Sequence, residues 1–113
     1  MRILFYAIAL VGVIFSSASK KPVYDPCKLF GIVYVEKNPN YAHFRVFEEE
    51  TEAFADVHVF EEDNRLYADK KGIWYFTDKK EFADFYIYWE PQRGLADFTV
   101  YFTEYESFAG CNK

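Results

Sequence analysis

The sequence predicts a small all-β domain, a barrel or a β-solenoid, built from six repeats of about thirteen residues. Three observations carry this. Six alanines recur at a nearly constant spacing, a triplet of strand-forming residues recurs beside each interval, and apolar and polar residues alternate with a period of two.

A leader comes before the fold. Met1-Arg2 is a short basic start, Ile3 to Phe15 is an uncharged apolar run, and Ser16-Ser17-Ala18-Ser19 supplies small residues ahead of Lys20-Lys21-Pro22. This is the layout of a secretory signal peptide, with cleavage expected after Ala18 or Ser19. The apolar run is short of the ~20 residues a membrane-spanning helix needs. Cys27 comes too late, after Tyr24-Asp25-Pro26, for a lipoprotein signal. The expected organisation is a signal peptide over 1–19, a lead-in over 20–27 and a repeat domain over 28–113, in a secreted or periplasmic protein.

The repeat is marked by Ala42, Ala55, Ala68, Ala83, Ala96 and Ala109, spaced 13, 13, 15, 13 and 13 residues apart. Asp56, Asp69, Asp84 and Asp97 follow four of them, and His43 and Gly110 take that place in the other two. A large apolar residue precedes each alanine: Tyr41, Phe54, Tyr67, Phe82, Leu95 and Phe108. The first triplet is Val33-Tyr34-Val35, followed by Val46-Phe47-Glu48 and Val59-Phe60-Glu61. Trp74-Tyr75-Phe76, Ile87-Tyr88-Trp89 and Val100-Tyr101-Phe102 complete the set. These residue types suit a pleated, packed surface. Polar stretches such as Glu36 to Asn40, Glu61 to Arg65 and Glu90 to Gly94 read as turns. The fourth unit carries two extra residues around Lys70-Lys71-Gly72, which suggests a bulge or a longer loop.

In Ala83-Asp84-Phe85-Tyr86-Ile87 and Ala96-Asp97-Phe98-Thr99-Val100, alternation puts Ala, Phe and the β-branched residue on one face. The alanines are therefore expected to point into a narrow interior, where a methyl group allows close approach of strands. Each Asp is expected to bond local backbone, as in an Asx-turn.

Cys27 and Cys111 bracket nearly the whole domain, and in an exported protein one disulfide is the expected state. The formal charge is −5, and loss of Arg2 with the leader makes it −6. That balance argues against nucleic acid, whose binding rests on Lys and Arg meeting phosphates, and no basic amphipathic helix offers a membrane-surface contact.

The repeat resembles the 7(1) septoil knot domain family, whose units have the form apolar-Tyr-x-x-x-Tyr-Glu-Ser-x-Ala-Asp. The stretch Val100-Tyr101-Phe102-Thr103-Glu104-Tyr105-Glu106-Ser107-Phe108-Ala109-Gly110 is the best match, and the similarity spans roughly residues 28 to 110. Other units keep the apolar-aromatic pair and Ala-Asp but carry Thr51-Glu52-Ala53, Asn64-Arg65-Leu66 or Gln92-Arg93-Gly94 in place of Tyr-Glu-Ser. The resemblance implies a small single-domain β-barrel around which the strands wind repeatedly, tying the backbone into a 7(1) torus knot. It implies no activity and brings no functional residues.

Candidate chemistry is sparse. Ser107 has no Gly-x-Ser-x-Gly elbow. His43 and His58 fall at different places in their units and read as surface residues. Glu48-Glu49-Glu50-Thr51-Glu52 and Glu61-Glu62-Asp63 sit at matching places in adjacent units, so their charges would face each other if those units were neighbours. Ca²⁺ is a conceivable counter-ion, but no calcium loop is present. Glu90, Glu104 and Glu106 are the carboxylates a glycan-acting hydrolase would draw on, and Tyr86, Tyr88, Trp89 and Tyr101 are the aromatics of a possible sugar-stacking face. The expectation is a non-enzymatic interaction domain with no catalytic residue, cofactor or metal. Its protein or glycan partner would meet the turn ends, at positions such as Glu49, Asn64, Lys79, Gln92 and Tyr105. A small glycan hydrolase or carbohydrate-binding module is the alternative.

Overall fold

The computed structural model describes residues 25–111. The expected signal peptide and most of the lead-in lie outside the described residues. Six strands follow one another: β1 (Gly31–Val35), β2 (Phe44–Glu48), β3 (Val57–Glu61), β4 (Ile73–Thr77), β5 (Phe85–Trp89) and β6 (Phe98–Thr103). Each contains one of the triplets. A single 3-10 turn precedes every strand, from Pro26–Lys28 ahead of β1 to Arg93–Leu95 ahead of β6, and Glu106–Phe108 follows the last. Side-chain caps start three of these turns: Asp25, Asn38 and Asn64 accept from the N–H two residues on, at 3.0, 2.9 and 3.0 Å. An alanine ends each of the last six turns, its N–H bonded to the carbonyl three residues back.

All strand pairs are parallel, and the sheet closes in the order β1-β4-β3-β6-β2-β5. Each connection leaves the carboxyl end of a strand and enters the next strand at its amino end. Taken the shorter way around, four connections step two places in one sense and the β3–β4 connection steps one. The chain thus travels one and a half times around the ring. Only β3 and β4 are neighbours in both sequence and space, and they are joined by the longer unit that contains Gly72. The register is strongly staggered. Val33 of β1 pairs with Phe76 near the end of β4 but with Phe85 at the start of β5. Such stagger tilts the strands and narrows what the interior can hold.

The interior is stacked in layers at the repeat spacing. Val33, Val46, Val59, Trp74, Ile87 and Val100 form the middle layer, and all six are fully buried. Phe44, Val57, Phe85 and Phe98 lie on the amino side of it, with Gly31 and Gly72 at the two remaining places. Burying each large side chain stabilises the fold by about 1.5–3 kcal/mol. Trp74 packs edge-to-face on Phe85 at 5.4 Å, and its indole N–H donates to the Leu29 carbonyl at 3.4 Å. Both glycines are required. Gly31 (φ +121°) would drive a Cβ into the Asp84 carboxylate, and Gly72 (φ +78°) would drive one into the Gly110 backbone.

The residue after each alanine does something the sequence reading missed. Asp84 donates its N–H to the Ile32 carbonyl at 2.7 Å and accepts the Ile32 N–H on its carboxylate at 2.8 Å. Asp97 makes the same reciprocal pair with Arg45, at 2.6 and 2.7 Å, and Asp56 with Thr99, at 3.1 and 2.9 Å. His43 makes it with Tyr86, its Nδ1 accepting the N–H at 2.8 Å. Gly110 makes it with His58 through backbone alone, at 2.7 Å in both directions. The Asp side chain therefore bonds a strand 43 to 52 residues away and not its own turn. Asp69, in the longer unit, makes no such bond; there the Gly72 carbonyl accepts from Phe60 at 2.8 Å.

Each repeat alanine ends a 3-10 turn, in extended backbone at every position but Ala68. Ala68 is buried and the other five alanines are half-buried at the ends of their turns. Cys27 and Cys111 form the expected disulfide, with Cα atoms 5.1 Å apart, tying the first turn to the end of the last.

The reciprocal bonds predict a graded response to truncation. Asp84→Ala and Asp97→Ala should each lower unfolding free energy in denaturant titrations by about 1–2 kcal/mol, because each leaves a strand N–H without its charged acceptor. Asp69→Ala should stay within about 0.5 kcal/mol. Equal losses at all three positions would contradict the assignment.

Candidate site at the carboxyl end of the barrel

Parallel strands direct all their carboxyl ends to one mouth, the end that carries the sites in eight-stranded β/α barrels. One inward position per strand lines it: Val35, Glu48, Glu61, Phe76, Trp89 and Phe102, around an open hollow of about 490 Å³. These are the third members of the six triplets. In ring order they read Val35, Phe76, Glu61, Phe102, Glu48, Trp89, so carboxylates and aromatic rings alternate. The three rings contact one another pairwise, with centroids 5.9 to 6.4 Å apart and planes inclined by 36° to 63°. Val35 and the three aromatics are half-buried against the core, and both glutamates are exposed.

The next residue along each strand behaves quite differently. Glu36, Glu49 and Glu90 turn to the outside and each meets a base. Glu36 pairs with Lys80 at 2.9 Å, Glu49 holds Arg93 through two bonds at 2.6 and 2.8 Å, and Glu90 meets Arg45 at 3.2 Å. Thr77, Glu62 and Thr103 take this place in the other strands and accept turn N–H groups instead. The bases also cover outward aromatics: Lys80 lies 5.0 Å from the Tyr86 ring centre and Arg93 lies 5.3 Å from that of Phe47. The Lys80 ammonium holds the Glu36 carboxyl below its ordinary value, and Glu36 in turn raises Lys80. Glu48 and Glu61 meet no cation among the described residues.

Several sequence expectations change here. The two acidic clusters are not spatial neighbours, since β6 lies between β2 and β3. Neither histidine is an idle surface group. His43 is exposed but bonded to β5 and stacked on Tyr86 at 4.7 Å. His58 is buried, with its Nε2 3.3 Å from the Glu52 carbonyl. His58, Glu52 and Ser107 line one small hollow, which sequence spacing did not suggest. Glu90 is engaged with Arg45 and the Gln92 N–H, Glu104 is exposed, and Glu106 faces the hollow beside the disulfide. The proposed aromatic face divides: Tyr86, Tyr88 and Tyr101 lie on the outer surface, whereas Trp89 belongs to the mouth. Of the turn positions, Asn64, Lys79, Gln92 and Tyr105 start 3-10 turns and are exposed, but Glu49 is buried and ion-paired. The large residue before each alanine is exposed: Tyr41, Phe54, Tyr67, Phe82, Leu95 and Phe108 stud the outside of the barrel.

A family model, the 7(1) septoil knot domain, matches residues 26–112. The chain belongs to that family. The match covers every strand and turn described above, and so includes all six positions of the mouth. No curated protein and no solved structure matches the chain.

The septoil knot domain's outer ion pairs predict a pH response. Glu36 has a lowered folded-state value, so its contribution is complete above its ordinary 4.5 and is lost as pH falls through the lowered value. Lys80 is raised, so its contribution is complete below 10.5 and is lost as pH rises through the raised value. On acidification below pH 4.5 the melting temperature of the wild type should fall more steeply than that of Glu36→Gln. Parallel acid limbs would show that the pair does not stabilise the fold.

Proposed function

We propose that the chain is an exported, non-enzymatic interaction domain whose recognition surface is the carboxyl-end mouth of the barrel. One observation supports this above the rest. Among the described residues, the mouth is the only layer of the interior that places carboxylates beside aromatic rings, and those carboxylates have no counter-charge there. A layer needed only to close a barrel would be filled like the one beneath it, with Val, Ile and Trp. The turn ends anticipated from sequence are the second candidate: Glu36, Glu49, Glu90, Lys80 and Arg93 are engaged in ion pairs there, whereas Lys37, Glu50, Arg65, Lys79 and Glu81 are exposed.

Export rests on the leader and fits the disulfide. The absence of catalysis is proposed because Ser107 makes no bond to His58 and because Glu90, Glu104 and Glu106 have separate surroundings. Two-dimensional NMR of the purified exported domain against a panel of sugars, amino acids and amines tests the reading. Ligands should shift Val35, Trp89 and Phe102 first. Shifts confined to Tyr41, Phe54 and Phe82 would move the surface to the turns, and turnover of any glycan substrate would overturn the non-enzymatic assignment.

A further inference from the structure

We infer that the barrel carries a redox-latched strap: the segment from Ala109 to Cys111 fills a gap in the sheet and leaves it when the Cys27–Cys111 disulfide is reduced. The gap follows from the winding. β3 and β4 share two residue pairs, Phe60 with Ile73 and Glu61 with Trp74, whereas every other junction has three or four. The amino half of β3 therefore reaches past the start of β4, and its backbone on that side has no strand to meet. Gly110 stands in for one. It exchanges both backbone bonds with His58, at 2.7 Å each way, in an isolated antiparallel bridge. The strap passes directly over Gly72, where a Cβ would strike the Gly110 backbone.

The two ends that the disulfide joins are held unequally. The Leu29 carbonyl, two residues after Cys27, accepts from the Gly72 N–H at 2.9 Å and from the Trp74 indole at 3.4 Å. β1 begins two residues later, with a strand on either side. Beyond its own turn, the strap has the His58 exchange and the disulfide among the described residues. The Cys111 sulfur lies 3.1 Å from the Asp56 carbonyl, and as a thiol it would be a weak donor there. Two backbone bonds close to a chain end open readily once the covalent tie is gone. No strand junction runs through the strap, so the ring stays closed when it leaves. His58 changes most. It alternates with the inward Val57 and Val59, yet it is buried, sharing a hollow of about 260 Å³ with Glu52, Ala109 and Cys111.

The disulfide is within reach of a reductant. Both cysteines are half-buried and line an open hollow of about 730 Å³. The step is exchange with a dithiol. Its thiolate attacks one sulfur, the S–S bond breaks, and the departing cysteine thiolate takes a proton. The second thiol of the reductant then displaces the other cysteine. The cystine gains two electrons and two protons, and the dithiol becomes a disulfide.

The test is amide hydrogen exchange on the disulfide-bonded domain before and after treatment with dithiothreitol in the absence of denaturant. The His58 N–H should lose protection by about tenfold or more on reduction. The Phe60 N–H, bonded to the Gly72 carbonyl on the same side of β3, and the Glu49 N–H, bonded to Val100 of β6, should change by less than about twofold. Cys27→Ser should reproduce the reduced pattern without a reductant, and reoxidation of the wild type should restore protection. Unchanged protection at His58, with both thiols counted by titration, would overturn the inference, because the strap would then hold without its latch. A disulfide that resists dithiothreitol until the domain is denatured would overturn it too. Equal loss at His58, Phe60 and Glu49, or a Cys27→Ser variant that does not fold, would show that the disulfide holds the whole barrel, and the strap assignment would fall.

Discussion

The constraint on which the structure depends is a single N–H at the start of a strand. In a closed ring of parallel strands, the chain leaves each neighbour just where that N–H needs an acceptor, and an unpaired one would cost as much as a lost hydrogen bond. The repeat answers with the residue after the alanine. Asp56, Asp84 and Asp97 use a carboxylate, His43 uses a ring nitrogen and Gly110 uses its own carbonyl. Three chemistries meet one demand, which explains why the position recurs even though the residue type does not. At Gly31 the backbone turns to φ +121°, and there a Cβ would meet the Asp84 carboxylate.

The winding has a second consequence. Sequence neighbours are kept apart on the ring, so each patch of the barrel is assembled from distant units. Glu48 and Glu61, adjacent in the repeat, are separated by Phe102, and Phe76 and Trp89, also adjacent, are separated by Val35. The alternation of charge and aromatic ring at the mouth is thus a product of strand order. A barrel that placed its strands in sequence order would have put two carboxylates side by side and three aromatics together.

The period, the strands and the disulfide were legible because each rests on local chemistry. Thirteen-residue spacing, β-branched and aromatic triplets, and two cysteines at the ends are visible without knowing any long-range contact. The 3-10 turn that each alanine ends was not legible, because its closing bond is backbone to backbone and needs no particular side chain. The role of Asp84 and Asp97 was misread because their acceptor function is long-range, and nothing in one strand's sequence names its partner 52 residues away. The mouth was written in the sequence as the third member of each triplet, but its meaning appears only once those six residues are placed on a ring.

Each of these side chains braces one particular strand start. Amide hydrogen exchange in the Asp84→Ala variant tests it most directly. The Ile32 N–H should lose protection by about tenfold relative to the wild type, while the Arg45 N–H, braced by Asp97, should keep its own. Unchanged protection at Ile32, or equal loss at Ile32 and Arg45, would contradict it.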